Sequence, residues 1–270
     1  MALVQTGSKY VDDRFSPIIE PNLFDTNPFQ PNITFTPKYT LGAAGQILVH
    51  KLGKVTVTAG TPGSDFTNTD TADATIIISL DKSFQRSEKI YNVAAAEVAY
   101  PMAEAHLQQC LADIREGWNA AAAAVLEAGT TASEATTTAL DADNVYGIVV
   151  DDRKKLVTNG ARPDVLLVSP ETYATLLKSA EFTRAGDLGD AVVQTGQVGM
   201  IAGLKVFEYQ GLASTTDYVM YDHDAFSIVT AANTMRLKDS EVFSGTLAQV
   251  EIVSGMKITN EDRVLVKENA

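Results

Sequence analysis

Residues 101–128, PMAEAHLQQCLADIREGWNAAAAAVLEA, constrain this chain more than any other stretch. Leu107, Leu111, Ile114, Trp118, Ala121 and Val125 follow one another at intervals of 4, 3, 4, 3 and 4 residues, which draws one apolar stripe down an α-helix. Glu104, Gln108, Asp113, Arg115, Glu116 and Asn119 fall mostly on the other faces. Pro101 suits a first helical turn and Gly129 a stop. At 1.5 Å per residue the helix reaches about 40 Å, long for a globular protein. Other parts of the chain must therefore be laid along it to cover the stripe. The Ala120–Ala124 run allows close approach of a neighbour, although it also reflects plain helix propensity.

What precedes the helix is of a different character. Residues 1–40 carry Pro17, Pro21, Pro28, Pro31 and Pro37, which resist both helix and central strand. Among them lie Phe15, Ile18, Ile19, Leu23, Phe24, Phe29, Ile33 and Phe35, more apolar than a flexible linker would be. An extended arm that lies along a surface fits this composition, and that surface can be its own subunit or another. Residues 46–58 read as a strand, with Val55 and Val57 alternating with polar neighbours, and residues 75–80 are a second strand candidate. The Gly-, Thr- and Asp-rich segment between them is too long for an ordinary turn. The pair is predicted to be a long β-hairpin with a mobile tip, projecting from the body.

Beyond the helix, residues 130–140 are a surface connection. Asp141 or Asp143 can cap a second helix with Val145, Ile148, Val149, Leu156 and Val157 as its apolar positions and Gly160 as its end. DVLLVS (164–169) is a buried strand, and Ser169–Pro170 opens a third helix carrying Tyr173, Leu176 and Leu177. Strands follow at 204–209, 217–221 and 225–231, and the segment after Glu241 is strand-rich. Helices and strands mix without regular βαβ alternation, so the fold class is α+β.

The chain offers little chemistry. Its net charge of −13 argues against electrostatic capture of nucleic acid or of an anionic membrane. One cysteine, Cys110, rules out an intramolecular disulfide framework. It lies among polar residues beside the helix stripe and reads as passive. Three scattered histidines leave little for zinc or for acid–base work. The N-terminus has no secretory pattern, and no apolar run approaches the ~20 residues of a membrane span. A soluble cytoplasmic product is expected.

Three motifs come nearest to a site. GQVGMIAGLKVFEYQG (196–211) is glycine-rich, but it fits neither GxxxxGK[ST] nor GxGxxG. Lys205 opens an alternating strand where a phosphate cradle would feed a helix, so Gly196, Gly199 and Gly203 are expected to shape a turn. Asp222, His223 and Asp224 are ligand-type residues, but neighbours along a strand point to opposite faces, and a polar turn is expected. Asp65, Asn68, Asp70 and Asp73 lack the spacing and closing glutamate of a calcium loop. No catalytic, cofactor-binding or metal-binding residue is assigned, and no G-x-S-x-G elbow is present.

The order of parts then carries the reading: arm, projecting hairpin, long helix, compact α+β insertion, strand-rich return. NVYGIVVDDRKKLVTNGARPDVLLVSPETYATLLKS (144–179) and GQVGMIAGLKV (196–206) resemble the helix–strand–helix and the turn-and-strand of tailed-phage major capsid proteins with the Hong Kong 97-like fold. The likeness covers about residues 40–270. It implies an N-terminal arm at 1–40, an extended loop at 41–82 lying over a neighbouring subunit, and a peripheral domain at 83–135 with the long helix as its spine. It also implies an axial domain at 136–240 and C-terminal strands at 241–270 returning to the peripheral domain. Phe24, Phe29, Phe35, Lys51, Lys54 and Phe66 become candidates for contacts between subunits. The implied function is a head protein that self-assembles into hexamers and pentamers of an icosahedral shell around double-stranded DNA. The implied partners are copies of itself, a separate scaffolding protein, a portal protein at one vertex, and DNA enclosed without strong binding, with no membrane and no cofactor. The setting is the virion, with the host cytoplasm during assembly. Two alternatives stand beside it: an encapsulin-like nanocompartment shell, and a small-ligand-binding or hydrolytic α+β enzyme using Asp222 or His223.

Overall fold

A computed structural model describes residues 46–51, 74–92, 102–179 and 200–269. The elements run β1 (Gln46–Lys51), β2 (Ala74–Ser79), β3 (Lys82–Tyr91), α1 (Met102–Glu127), β4 (Thr131–Ala132), α2 (Val145–Thr158), β5 (Val165–Val168), α3 (Pro170–Lys178), β6 (Met200–Ile201), β7 (Leu204–Glu208), β8 (Thr216–Tyr221), β9 (Phe226–Asp239), β10 (Gly245–Ile258) and β11 (Val264–Glu268). Short 3₁₀ turns at His223–Ala225 and Glu261–Arg263 precede β9 and β11. The strands form three sheets: β1-β2, β3-β10-β9, and the six-stranded β4-β11-β8-β5-β7-β6. The fold is α+β.

The long helix is present, but its buried face is not the straight stripe the spacing predicts. His106, Cys110, Ile114, Trp118, Ala122 and Leu126 are buried, each four residues after the last. At 3.6 residues per turn, steps of four carry the buried face about 40° around the helix each time. The cause is that α1 serves two sheets. Cys110 and Ile114 pack against Val250 of the three-stranded sheet. Trp118, Ala122, Ala123 and Leu126 join Val165, Leu167, Val219, Tyr221, Val264 and Val266 of the six-stranded one. Cys110 is therefore a fully buried core residue rather than one set beside the stripe.

The six-stranded sheet is covered on both faces. Successive residues of β5 alternate between the two cores: Val165 and Leu167 face α1, while Leu166 and Val168 join Val149 and Leu156 of α2 and Leu176 of α3. This double cover explains why β5 reads VLLV without polar alternation. Ser169 caps α3 by accepting a hydrogen bond from the Thr172 amide, and Pro170 takes the first turn. The cap of α2 is Asn144, without a side-chain bond to the helix. Asp141 instead accepts from the Asp143 and Asn144 amides just outside the helix, each at 2.9 Å. A buried carboxylate of α2, Asp152, ties the helix to this sheet and to the connection after β4. The Tyr218 hydroxyl donates to Asp152 Oδ2 at 2.6 Å, and the Glu134 amide donates to Asp152 Oδ1 at 3.0 Å.

Three strands, β3, β4 and β6, escaped the sequence reading, and β9 was read only in part. β3 (KSFQRSEKIY) has too few apolar residues to be read as a strand, because only one of its faces is covered. β9 continues past 231 to Asp239, and β4 lies within the predicted connection. Pairing also runs across position 240: β9 joins β10 and β3, whereas β11 sits between β4 and β8.

Candidate assembly surfaces

For a chain with so little chemistry the functional candidates are surfaces, beginning with the β1–β2 pair. β1 and β2 pair antiparallel, with Ile47 opposite Ile78 and Leu48 opposite Ile77. Side chains alternate across the sheet, so one face carries the buried Ile47–Ile78 pair and the other the exposed Leu48–Ile77 pair. His50 and Thr75 join their side chains at 3.2 Å on the exposed face. The hairpin base rests on β10. A Cβ at Gly255 would stand 2.4 Å from the Ser79 carbonyl oxygen, so glycine is what lets the two backbones meet. Lys51 ends β1, exposed and opposite Ala74. Phe24, Phe29, Phe35, Lys54 and Phe66 lie outside the described residues, as do Asp65, Asn68, Asp70 and Asp73.

A second surface lies at the far end of the β9–β10 hairpin. Met235 and Leu237 are opposite Val250 and Ala248, so all four share the sheet face that α1 covers. Val250 and Ala248 are buried, but Met235 and Leu237 are 55% and 45% exposed. The connecting turn presents Val242, 93% exposed. Isolated exposed apolar residues are ordinary; here three fall on one hairpin. The third surface is the outer side of α2, where Val150 and Val157 are exposed one heptad apart, which puts them on one helix face. The structure thus turns outward a residue, Val157, that the sequence placed on the apolar stripe.

The glycine-rich stretch resolves in part. Gly203 has φ +83° and Ala202 φ +48°, and together they form the two-residue turn joining β6 to β7. Two consecutive left-handed residues are the geometry a tight hairpin demands, and only glycine adopts it without strain. Lys205 is an exposed strand residue following buried Leu204. Gly196 and Gly199 lie outside the described residues.

The acidic motif at 222–224 acquires a partner that spacing could not reveal. Asp164, just before β5, joins Asp222 and His223, with their ligand atoms within 4.8 Å of one another. Each carboxylate is already engaged by protein donors. Asp164 takes the His223 amide at 2.9 Å and faces His223 Nδ1 at 2.8 Å. Asp222 accepts the Asp224 amide at 3.1 Å, and the Arg162 amide and Arg263 Nη1 each at 3.3 Å. A guanidinium against the buried carboxylate opposes a cation, and the bonds pin the 3₁₀ turn between β8 and β9. This is a structural lock of the kind buried carboxylates require. Cys110 is equally unsuited to nucleophilic work. Burial, reinforced by the nearby Glu88 carboxylate, pushes its thiol up to about 11. No helix among the described residues is long and apolar enough to cross a membrane.

Comparison with known proteins points the same way. No curated protein matches the sequence. Among solved structures, one from Mycobacterium phage Che8 is 21% identical with a TM-score of 0.70, over 82% of this chain and 84% of that one. The mature capsid of bacteriophage PhiM1 is 13% identical with a TM-score of 0.70, over 96% and 91%. The capsid of an empty GTA particle is 14% identical with a TM-score of 0.71, over 96% and 95%. At these identities the likeness is one of fold. A family model described as phage capsid protein matches residues 99–267, more than half of the chain. With its long helix and its sheets in the Hong Kong 97-like arrangement, the chain belongs to the phage capsid protein family, whose members build the shell of a virion.

Proposed function

We propose that the chain is the major head protein of a tailed phage, that it closes through hexamers and pentamers into an icosahedral shell around double-stranded DNA, and that its role is structural rather than enzymatic. One observation carries the reading. The described residues form well-packed cores in the body, while apolar side chains remain exposed on the β1–β2 and β9–β10 strand pairs. Exposed apolar residues on strand pairs are what an assembling subunit brings to its neighbours. Many weak contacts of this kind sum by multivalency.

In this reading residues 1–40 are the arm and 41–82 the loop that reaches a neighbour, with Phe24, Phe29, Phe35, Lys51, Lys54 and Phe66 as contact candidates. The segment 83–135 is the peripheral domain, 136–240 the axial domain around the five- and six-fold axes, and 241–270 the return. A separate scaffolding protein and a portal complete the assembly. The acidic balance suits a shell that encloses DNA without gripping it. The test is electron microscopy of the purified protein, with its candidate scaffold supplied. Shells, tubes or rings of five and six are expected. A protein that remains monomeric or dimeric under those conditions contradicts the proposal.

A further inference from the structure

The three-stranded sheet has one face under α1; on the other face the β1–β2 pair covers the Gly255 end, and the opposite end is exposed and charged in the opposite sense to the rest of the chain. Lys89 on β3 and Lys238 on β9 are both opposite Leu247 of β10, and Arg236 and Ser87 are both opposite Gln249. Cross-strand partners share a face, so Lys89, Lys238 and Arg236 stand together, all exposed. With strands about 4.8 Å apart and about 3.3 Å per residue, the three charges fall within roughly 12 Å of one another. Arg236 Nε donates to Gln249 Oε1 at 2.9 Å, and Lys89 Nζ lies 5.6 Å from the centre of the Phe243 ring. The one carboxylate on this face, Glu251, is bonded to Gln85 at 2.7 Å and Ser83 at 3.2 Å. Three cations therefore crowd the far end of a sheet in a chain of net charge −13.

Among the described residues no ion pair neutralises them: Asp239 lies on the other face of β9, and Glu241 stands in the turn beyond it. The exposed carboxylates Asp224, Glu261 and Asp262 sit at the opposite end of the 14-residue strands β9 and β10. At about 3.3 Å per residue that is roughly 35 Å away, several screening lengths at physiological salt. Arg263, the cation between those acids, is turned onto Asp222, and Arg162 and Lys257 stand at the margin. Each copy thus presents a basic strip at one end of the sheet and an acidic junction at the other. Packaged DNA is the less favoured occupant, because three cations on a strongly acidic body give little net attraction for phosphate.

We infer that the strip of Lys89, Arg236 and Lys238 docks on the acidic junction of Asp224, Glu261 and Asp262 in a second copy of this chain. The inference rests on the shell-forming reading and adds the pairing that aligns one subunit against the next. Charge pairs of this kind steer and register partners more than they bind them.

A charge-swap series tests it in the full-length chain. Reversal of the strip (Lys89→Glu, Arg236→Glu, Lys238→Glu) is expected to lower shell yield about tenfold, a loss built from several exposed ion pairs repeated across many interfaces. The unassembled variant should melt like wild type, since these side chains face solvent. The neutral pair Lys89→Gln and Lys238→Gln guards against a folding artefact and should give an intermediate yield. Reversal of the junction as well (Asp224→Lys, Glu261→Lys, Asp262→Lys) should restore assembly. Normal yield in the strip variant overturns the pairing, as does failure of the double reversal to rescue. Normal shells that lose their DNA overturn it in favour of a nucleic-acid role. Absence of shells from the wild type run in parallel defeats the shell-forming reading itself, and the pairing with it.

Discussion

The two large sheets of this molecule use the same chain in opposite ways. The six-stranded sheet has α1 on one face and α2 with α3 on the other, and every residue of β5 is buried. The three-stranded sheet has α1 on one face only, and at its far end even that cover stops, leaving Met235 and Leu237 in solvent. The cores of the first region close within a single copy. In the second, part of the apolar face and the charges of Lys89, Arg236 and Lys238 stay exposed. Mutations inside the cores of the six-stranded sheet should therefore act on stability, and mutations on the exposed faces of the β9–β10 hairpin on assembly.

The largest effect is expected where the cover is double. Leu167→Ala should cost about 2–5 kcal/mol, because its neighbours in the β5 layer cannot close the cavity. Thermal or urea unfolding of the unassembled protein measures this, and a loss below about 1 kcal/mol would show that the sheet is less tightly held than its burial implies. Gly255→Val should come next, at about 1–3 kcal/mol, since a Cβ there meets the Ser79 carbonyl. Its distinctive readout is faster amide exchange in Ala74–Ser79 while β5 remains protected.

Tyr218→Phe removes the hydroxyl donor from the fully buried Asp152 carboxylate, at about 1–3 kcal/mol. Asp152→Asn in the same background should recover part of that loss, because an amide is easier to bury than an orphaned charge. The smallest effect concerns Cys110. Its folded value of about 11 is raised above the ordinary value of 9.0. The thiol therefore favours the folded state fully below pH ~9, and that preference fades as the pH rises toward 11. Native protein at pH 8 should resist alkylation until unfolded. Rapid labelling of the native form would place the thiol outside the core.

Much of this architecture was legible in the sequence because helical and strand periodicities survive wherever one face is consistently apolar. The long helix, the strand at 164–169, the Ser169 cap and the antiparallel pairing of the 46–51 and 74–79 segments all follow from local pattern and turn chemistry. What local pattern could not carry was contact at a distance. β3 went unread because its covered face holds Arg86 and Glu88, charges made acceptable by Asp113 at 2.6 Å and His106 at 3.0 Å on α1. Asp164 could not be joined to His223 from spacing, since 59 residues separate them. The rotation of the α1 stripe was likewise hidden, because a single stripe assumes a single partner. The surfaces were least legible of all: an exposed leucine in a strand looks the same in sequence as a buried one.

The separation of stability from assembly is tested most directly at Met235 and Leu237. A Met235→Ser, Leu237→Ser variant should be compared with wild type by thermal unfolding of the unassembled chain and by sedimentation under conditions where wild type forms shells. The account predicts a melting transition unchanged to within about 0.5 kcal/mol, together with loss of most of the fast-sedimenting particles. Full assembly by this variant, or unfolding of its monomer, would contradict it.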